Sequence, residues 1–279
     1  MSNNAKVAVV TGGGGTLCGP IAEDLARKGY KVVLVGRRLE ILEKRAEQIL
    51  QATGCECLSM SADVKDEERM NEVHEEILSR LGKVSVLVNG AGGNQMDVVA
   101  SVNEYTPGEL EPGHEFKGWF DLKMDRFLDV VNVNIMGTVI PCHIFSRDMV
   151  ELGGGAILNF ASMNTYRPLS RVPAYAASKA AISNFTQWLA AYLAPAGVRV
   201  NAVAPGFFWN ERTPKLMIKP DGSLTERAEH ILYHTPMHRW GQAEDLLGCA
   251  SWLLDDSRSG FVTGITVPVD GGFLSCAGL

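Results

Sequence analysis

The sequence predicts an α/β protein: a single domain over residues 1–279, built on one doubly wound parallel sheet of about seven strands with helices on both faces. Three observations predict it. Short apolar runs rich in valine alternate with helix-length stretches along the whole chain. The first run ends in Gly12-Gly13-Gly14-Gly15, immediately ahead of a helix. A second turn of small and polar residues, Asn89-Gly90-Ala91-Gly92-Gly93-Asn94, also falls where a strand ends. In such sheets ligands bind beyond the carboxyl ends of the strands.

The elements follow in order. Lys6–Thr11 is a nearly continuous apolar run, the mark of a strand buried on both faces. The glycines and TLCG lead into a helix at Pro20–Lys28. Strand Lys31–Val35 runs through Gly36-Arg37-Arg38 into helix Glu40–Ala52. Strand Cys55–Met60 ends in Ala62-Asp63-Val64 before helix Glu67–Leu81, and Val84–Val88 is the fourth strand. Gln95–Trp119 carries Pro107, Gly108, Pro112 and Gly113 and reads as an irregular excursion over a site. A long helix covers Lys123–Glu151, with a bend expected at Pro141. Strand Ala156–Phe160 delivers Ser162, and helix Ala174–Leu193 carries Tyr175 and Lys179. Strand Arg199–Ala204 precedes Pro205-Gly206. Residues 207–240 turn polar and proline-rich, with a short helix near Thr225–Tyr233, and lie where a lid would. Helix Ala243–Leu254 and strand Gly264–Val269 finish the domain; no linker or internal repeat divides it.

Composition narrows the function. The chain is 46% hydrophobic and 21% charged, ordinary for a globular domain. A net charge of −6 offers no basic excess for a nucleic-acid partner. No apolar run suggests a signal peptide or a membrane span. The six cysteines are scattered without zinc-ligand pairs, which suits packed thiols in a reducing, cytoplasmic setting. No metal site is expected: His234 and His238 are four apart, but Pro236 stands between them.

The chemistry concentrates between Asn159 and Lys179. Tyr175 and Lys179, four apart, share one helix face. An ammonium beside a phenol favours the phenolate, so a lowered Tyr175 pKa is expected. Such a tyrosine can pass a proton to or from a carbonyl or alcohol oxygen. Ser162, thirteen residues earlier, can hydrogen-bond the same oxygen. A Tyr-x-x-x-Lys pair alone is common on exposed helices; the glycine turns give it weight. Glycines let a backbone approach phosphates, and a helix start adds free amides and a positive dipole end.

With these motifs in place the chain resembles the short-chain dehydrogenase/reductase family over its whole length. The TGGGG turn, NGAG at Asn89–Gly92, NVNIMG at Asn132–Gly137, Ser162 with YAASK, and Pro205-Gly206 recur in the family's order. With NGAGGN, SMN, HTPM and VPVDGGF, the turn TGGGGTLCG resembles the D-mannonate oxidoreductase (fructuronate reductase) branch. One departure stands out: the family's T-G-x-x-x-G-x-G would place glycines where Thr16 and Cys18 stand.

The resemblance implies a Rossmann-type domain, an NAD(H) or NADP(H) cofactor and a homotetramer packed through the long helices and last strand. It implies catalytic roles for Ser162, Tyr175, Lys179 and Asn134, the asparagine holding a water in a proton relay. Gly12, Gly14, Gly15, Leu17, Asp63, Val64, Asn89, Ala91, Gly92, Pro205 and Gly206 are the expected cofactor contacts, with Tyr175 and Lys179 at the reactive end. Arg37 and Arg38 follow Gly36, where an acidic residue would select NAD; two guanidiniums suit a 2′-phosphate and point to NADP(H). Arg171, four residues before Tyr175, is the first candidate for a substrate carboxylate, with Arg167 and Arg212 in reserve and Asn94 and Asn164 for sugar hydroxyls. The expected reaction interconverts a small-molecule keto sugar acid and its hydroxy acid. A gluconate 5-dehydrogenase or another polyol or ketoacyl reductase would share every catalytic residue. A regulator that kept the fold and lost the chemistry would show damage among Ser162, Tyr175, Lys179 and Asn134, and all four are present.

Overall fold

The computed structural model describes residues 5–211 and 213–276. Seven parallel strands form one sheet: β1 (Val7–Thr11), β2 (Lys31–Gly36), β3 (Cys57–Ser61), β4 (Val84–Asn89), β5 (Gly155–Phe160), β6 (Val198–Pro205) and β7 (Thr266–Val269). Their spatial order is β3-β2-β1-β4-β5-β6-β7. The chain therefore winds outward from β1 in one direction and, from β4, in the other. The crevice between β1 and β4 is the switch point at which such sheets bind ligands.

Alternation along the strands builds two cores. Val7 and Val9 point to one face with the buried sides of α3 (Glu67–Arg80), α4 (Met124–Leu152) and α5 (Pro173–Leu193). Ala8 and Val10 point to the other, with α1 (Cys18–Arg27), α2 (Leu39–Thr53) and α8 (Ala243–Leu254). Both faces of β1 are covered, which is why its sequence is an unbroken apolar run. Helix α4 is long and apolar enough to cross a membrane by length and composition, a feature the sequence reading did not anticipate. Here it packs in the core through Ile140, Ile144, Phe145 and Met149. Pro141 stands inside α4 without ending it.

Several elements depart from expectation. The third strand begins at Cys57 rather than Cys55, because the Cys55 backbone N–H is taken by the Thr53 hydroxyl at 3.1 Å. Two short helices have no counterpart in the reading: α6 (Thr213–Met217) and α9 (Asp256–Ser259). Neither is long enough to show a helical period. The helix α7 (Glu226–Tyr233) starts on Thr225, whose hydroxyl caps the Ala228 N–H at 3.3 Å. The ends of the excursion around α6 and α7 are drawn together: Gly241 N–H donates to the Phe207 carbonyl at 2.9 Å, and Trp209 N–H to the Gly241 carbonyl at 2.8 Å.

The irregular stretch after β4 holds one 3-10 turn, Met96–Val98, and is tied by side chains. Ser101 and Lys117 exchange backbone and hydroxyl bonds at 2.7 and 2.8 Å. The buried Glu109 carboxylate accepts from Phe120 N–H at 3.2 Å. The Ala100 N–H donates to the Arg171 carbonyl at 2.9 Å, which joins this stretch to the loop ahead of α5.

Candidate active site

The glycine turn and the Asn89–Asn94 turn meet at the switch point. Gly12 lies at φ +65°, and a Cβ there would come within 2.9 Å of the Gly90 backbone. No side chain fits between the two turns. Thr11 ties them: its hydroxyl accepts from Gly90 N–H at 3.2 Å and Ala91 N–H at 3.3 Å. The threonine is visible in the sequence as the residue before the glycines, yet only the structure gives it this work.

Cys18 occupies the place where the family has glycine. It opens α1, is buried, and packs its sulfur against Gly90, where a Cβ would sit 1.9 Å away. The turn thus closes from the opposite side: glycine faces the thiol. Burial pushes the Cys18 thiol up to about 12, so it stays protonated. The first turn of α1 carries no acidic residue and no side-chain cap, which leaves its amides available to an anion.

A cleft of about 330 Å³ runs from these turns across the ends of β2 and β3. Gly12, Gly14, Gly15, Arg37, Arg38, Asp63, Val64, Ala91 and Gly92, all candidate cofactor contacts, line it. Leu17 and Asn89 do not. Leu17 packs against the α1 side of the core. Asn89 turns into the core, where its amide donates to the Asn159 side-chain oxygen at 2.9 Å and to Cys142 Sγ at 3.1 Å. Pro205 and Gly206 lie at the end of β6, away from this cleft; Gly206 packs so closely on Asp270 that a Cβ would come within 2.7 Å. The glycine cradle, the uncapped helix start and the cleft fit a dinucleotide, which Gly12, Gly14 and Gly15 would hold at the pyrophosphate and Asp63 and Val64 at the adenine end.

At the carboxyl end of β5 the proposed catalytic side chains converge. Ser162 is buried and extended, and its hydroxyl accepts from the backbone and side-chain N–H groups of Asn164, both at 3.2 Å. The Tyr175 hydroxyl lies near Ser162, whose hydroxyl favours the ionised phenol. Lys179 is buried one turn further along α5, its Nζ 5.6 Å from the Tyr175 ring centre. A Cβ on Gly92 would come within 2.5 Å of Asn134 Oδ1 and 3.6 Å of Lys179 Nζ, so asparagine, lysine and the NGAGG turn share one corner.

Two expectations change here. Tyr175 was expected to have a lowered pKa, but burial pushes it up and the Ser162 hydroxyl only partly offsets this. The reason is where the ammonium goes: Lys179 Nζ donates to the Phe160 carbonyl at 2.6 Å. Burial brings Lys179 itself down to about 8. Sharing a helix face did not decide the partner. Asn164, expected to take a sugar hydroxyl, is occupied within the protein: its Nδ2 serves Ser162 and its Oδ1 accepts from Leu169 N–H at 2.9 Å. It positions the serine.

Asn134 is fully buried, and its carboxamide clamps Gly93, accepting from N–H at 3.0 Å and donating to the carbonyl at 2.9 Å. It thereby pins the turn beside Lys179. Asn94 accepts from Gln95 N–H at 3.0 Å on the same strip. Arg167 and Arg171 line a separate cleft with α7; Arg167 also donates to the Cys276 carbonyl at 2.9 Å. Arg212 lies outside the described residues.

The short chain dehydrogenase family matches residues 6–217. This chain is a short-chain dehydrogenase/reductase. The dehydrogenase is 43% identical to the uncharacterized oxidoreductase UxuB of Bacillus subtilis over 98% of this chain and 96% of that one. It is 34% identical to the 2-dehydro-3-deoxy-D-gluconate 5-dehydrogenase of Dickeya dadantii, across 97% and 96% of the two chains. Among solved structures, a candidate D-mannonate oxidoreductase from Haemophilus influenza with bound NAD superposes with a TM-score of 0.93, at 37% identity and over 98% and 96% of the chains. The dehydrogenase is thus an NAD(P)-binding oxidoreductase.

Proposed function

We propose that this dehydrogenase interconverts a keto sugar acid and its hydroxy acid, of the D-fructuronate/D-mannonate type. One observation carries the reading: Ser162, Tyr175 and Lys179 stand at the carboxyl end of β5 beside a dinucleotide cradle, in a chain similar to sugar-acid oxidoreductases. The bound nicotinamide supplies hydride exchange with the substrate carbon. The chain supplies proton management and position. Tyr175 moves the proton at the substrate oxygen, and its raised pKa keeps the hydroxyl protonated and ready to donate in the reduction direction. Ser162, held by Asn164, bonds the same oxygen. Lys179 holds the ribose and, with Asn134 and a water, restores the tyrosine proton. Residues 207–240 serve as the lid.

Arg37 and Arg38 in the cofactor cleft support NADP(H) as the preferred cofactor, although the Haemophilus structure holds NAD. A kcat/KM for NADH equal to or above that for NADPH would refute the preference. Arg171 is the first ligand for the substrate carboxylate. The six cysteines, all free thiols, suit a cytoplasmic enzyme.

The similarity to the Dickeya enzyme sustains a second reading, a 5-dehydrogenase of gluconate or of its 2-dehydro-3-deoxy form. A substrate panel separates them: hexuronates, aldonates and ketoacyl thioesters, each with both cofactors. D-fructuronate should be reduced with the highest kcat/KM. Tyr175→Phe should lower kcat by several orders of magnitude with the fold intact. Retention of more than about a tenth of wild-type turnover would remove Tyr175 from its role.

A further inference from the structure

Beyond the loop that joins Ser162 to Tyr175 lies a cleft of about 580 Å³. Its far wall is α7. Arg227, His230, Ile231 and His234 all line it, spaced three, four and seven residues from the first, so they share one helical face. Its near wall is Arg171. Among the described residues Arg171 makes one side-chain hydrogen bond, from Nε to Asn103 Oδ1 at 2.7 Å. That bond fixes the guanidinium and leaves its two terminal nitrogens for a ligand. Burial and the facing charge of Arg171 both act against the cation at Arg227. Among the described residues no carboxylate forms an ion pair with either arginine, and Glu226 is the one acid lining the cleft. Two guanidiniums on one cleft, with no ion-paired carboxylate among the described residues, favour the entry of an anion.

We propose that Arg227 is a specificity residue: with Arg171 it grips the substrate carboxylate, so that an acid, and not its neutral ketose, draws α7 onto the cleft. Both forks match a carboxylate with paired hydrogen bonds. His234 adds a hydroxyl site. Its Nδ1 lies 2.8 Å from the His230 carbonyl, which can only accept, so Nδ1 carries a proton and Nε2 is the ring atom left to a sugar hydroxyl. The inference rests on the sugar-acid reading above.

The test uses Arg227→Ala and Arg227→Lys in the full-length enzyme, with circular dichroism to confirm folding. Trp240 packs edge-on to Phe207, 6.1 Å between ring centres, and Phe207 lines the cleft, so tryptophan fluorescence reports occupancy. Titration with D-gluconate should give a saturable change that weakens about 10- to 100-fold in Arg227→Ala and recovers in part in Arg227→Lys. The ratio of kcat/KM for D-fructuronate over D-fructose should fall by a similar factor. Unchanged gluconate affinity in Arg227→Ala, or no gluconate response in the wild type, overturns the inference. An enzyme that reduces D-fructuronate while Arg227→Ala keeps the wild-type KM also overturns it and leaves the sugar-acid reading standing. An enzyme that reduces no sugar acid, yet loses gluconate binding in Arg227→Ala, overturns that reading and leaves the cleft's role intact.

Discussion

Lys179 shows how burial and a single carbonyl set a side chain's charge. Its ammonium is held inside the protein by the Phe160 carbonyl, and its pKa falls to about 8 from an ordinary 10.5. The consequence for stability has a definite sign. Between those two values the unfolded chain binds the proton and the folded chain does not, so cofactor-free protein gains stability from this group as pH rises through that window. Cys18, pushed up to about 12, and Tyr175, also raised, act the other way, since their unfolded forms ionise first; both are present in wild type and in a Lys179 variant, so the comparison between the two isolates the lysine. Lys179→Met deletes the buried charge. Urea unfolding of wild type and variant at about pH 7 and about pH 9.5 should show wild type gaining on the variant by on the order of 2 kcal/mol. An equal difference at both pH values would mean the lysine is not desolvated. Lys179→Met should also be nearly inactive.

At the scale of elements, the β1–α1 turn and the β4 turn meet in a tight side-chain contact, Cys18 against Gly90. This makes the departure from the family's glycine pattern testable. Gly90→Ala places a methyl group on the Cys18 sulfur and should cost about 1–3 kcal/mol, with loss of cofactor affinity. Cys18→Gly removes the obstacle. The double variant Cys18→Gly/Gly90→Ala should therefore be more stable than the two single costs summed, because the remaining neighbour, the Thr11 carbonyl, is 3.1 Å from the new Cβ. Additive costs in thermal melts, or equal NAD(P)H affinity in all variants, would mean the two turns do not depend on this fit.

For the whole molecule, the outer face of α5 is unusual. Phe185, Trp188 and Tyr192 stack in a row, with ring centres 6.4 and 5.2 Å apart, and Trp188 and Tyr192 are exposed. Phe261 is fully exposed as well. Aromatic rows of this kind are enriched at subunit interfaces. They support the proposed homotetramer, and they would tie assembly to catalysis, since the inner face of α5 carries Lys179. Light scattering of the wild type should give a tetramer, and Trp188→Ser/Tyr192→Ser a smaller species with reduced activity. A wild type that is monomeric at micromolar concentration would sink the proposal.

What the sequence determined by itself was periodic or local. Unbroken apolar runs mark strands buried on both faces, because a parallel sheet is covered above and below. Glycine clusters mark the turns where backbone meets backbone, as at Gly12 and Gly90. Ser162, Tyr175 and Lys179 were legible as candidates because one strand end and one helix turn carry them within eighteen residues. The short helices α6 and α9 were not, since neither spans enough turns to show a period. Nonlocal partners were decided only by the tertiary structure. Lys179 finds the Phe160 carbonyl instead of the phenol, Asn164 serves Ser162 instead of a ligand, and Asn89 bonds Asn159 and Cys142 inside the core. Arg227 meets Arg171 from 56 positions away in the sequence. A residue's spacing sets which face of its own element it occupies; the element packed opposite supplies the partner, and that follows only from how the sheet and helices assemble.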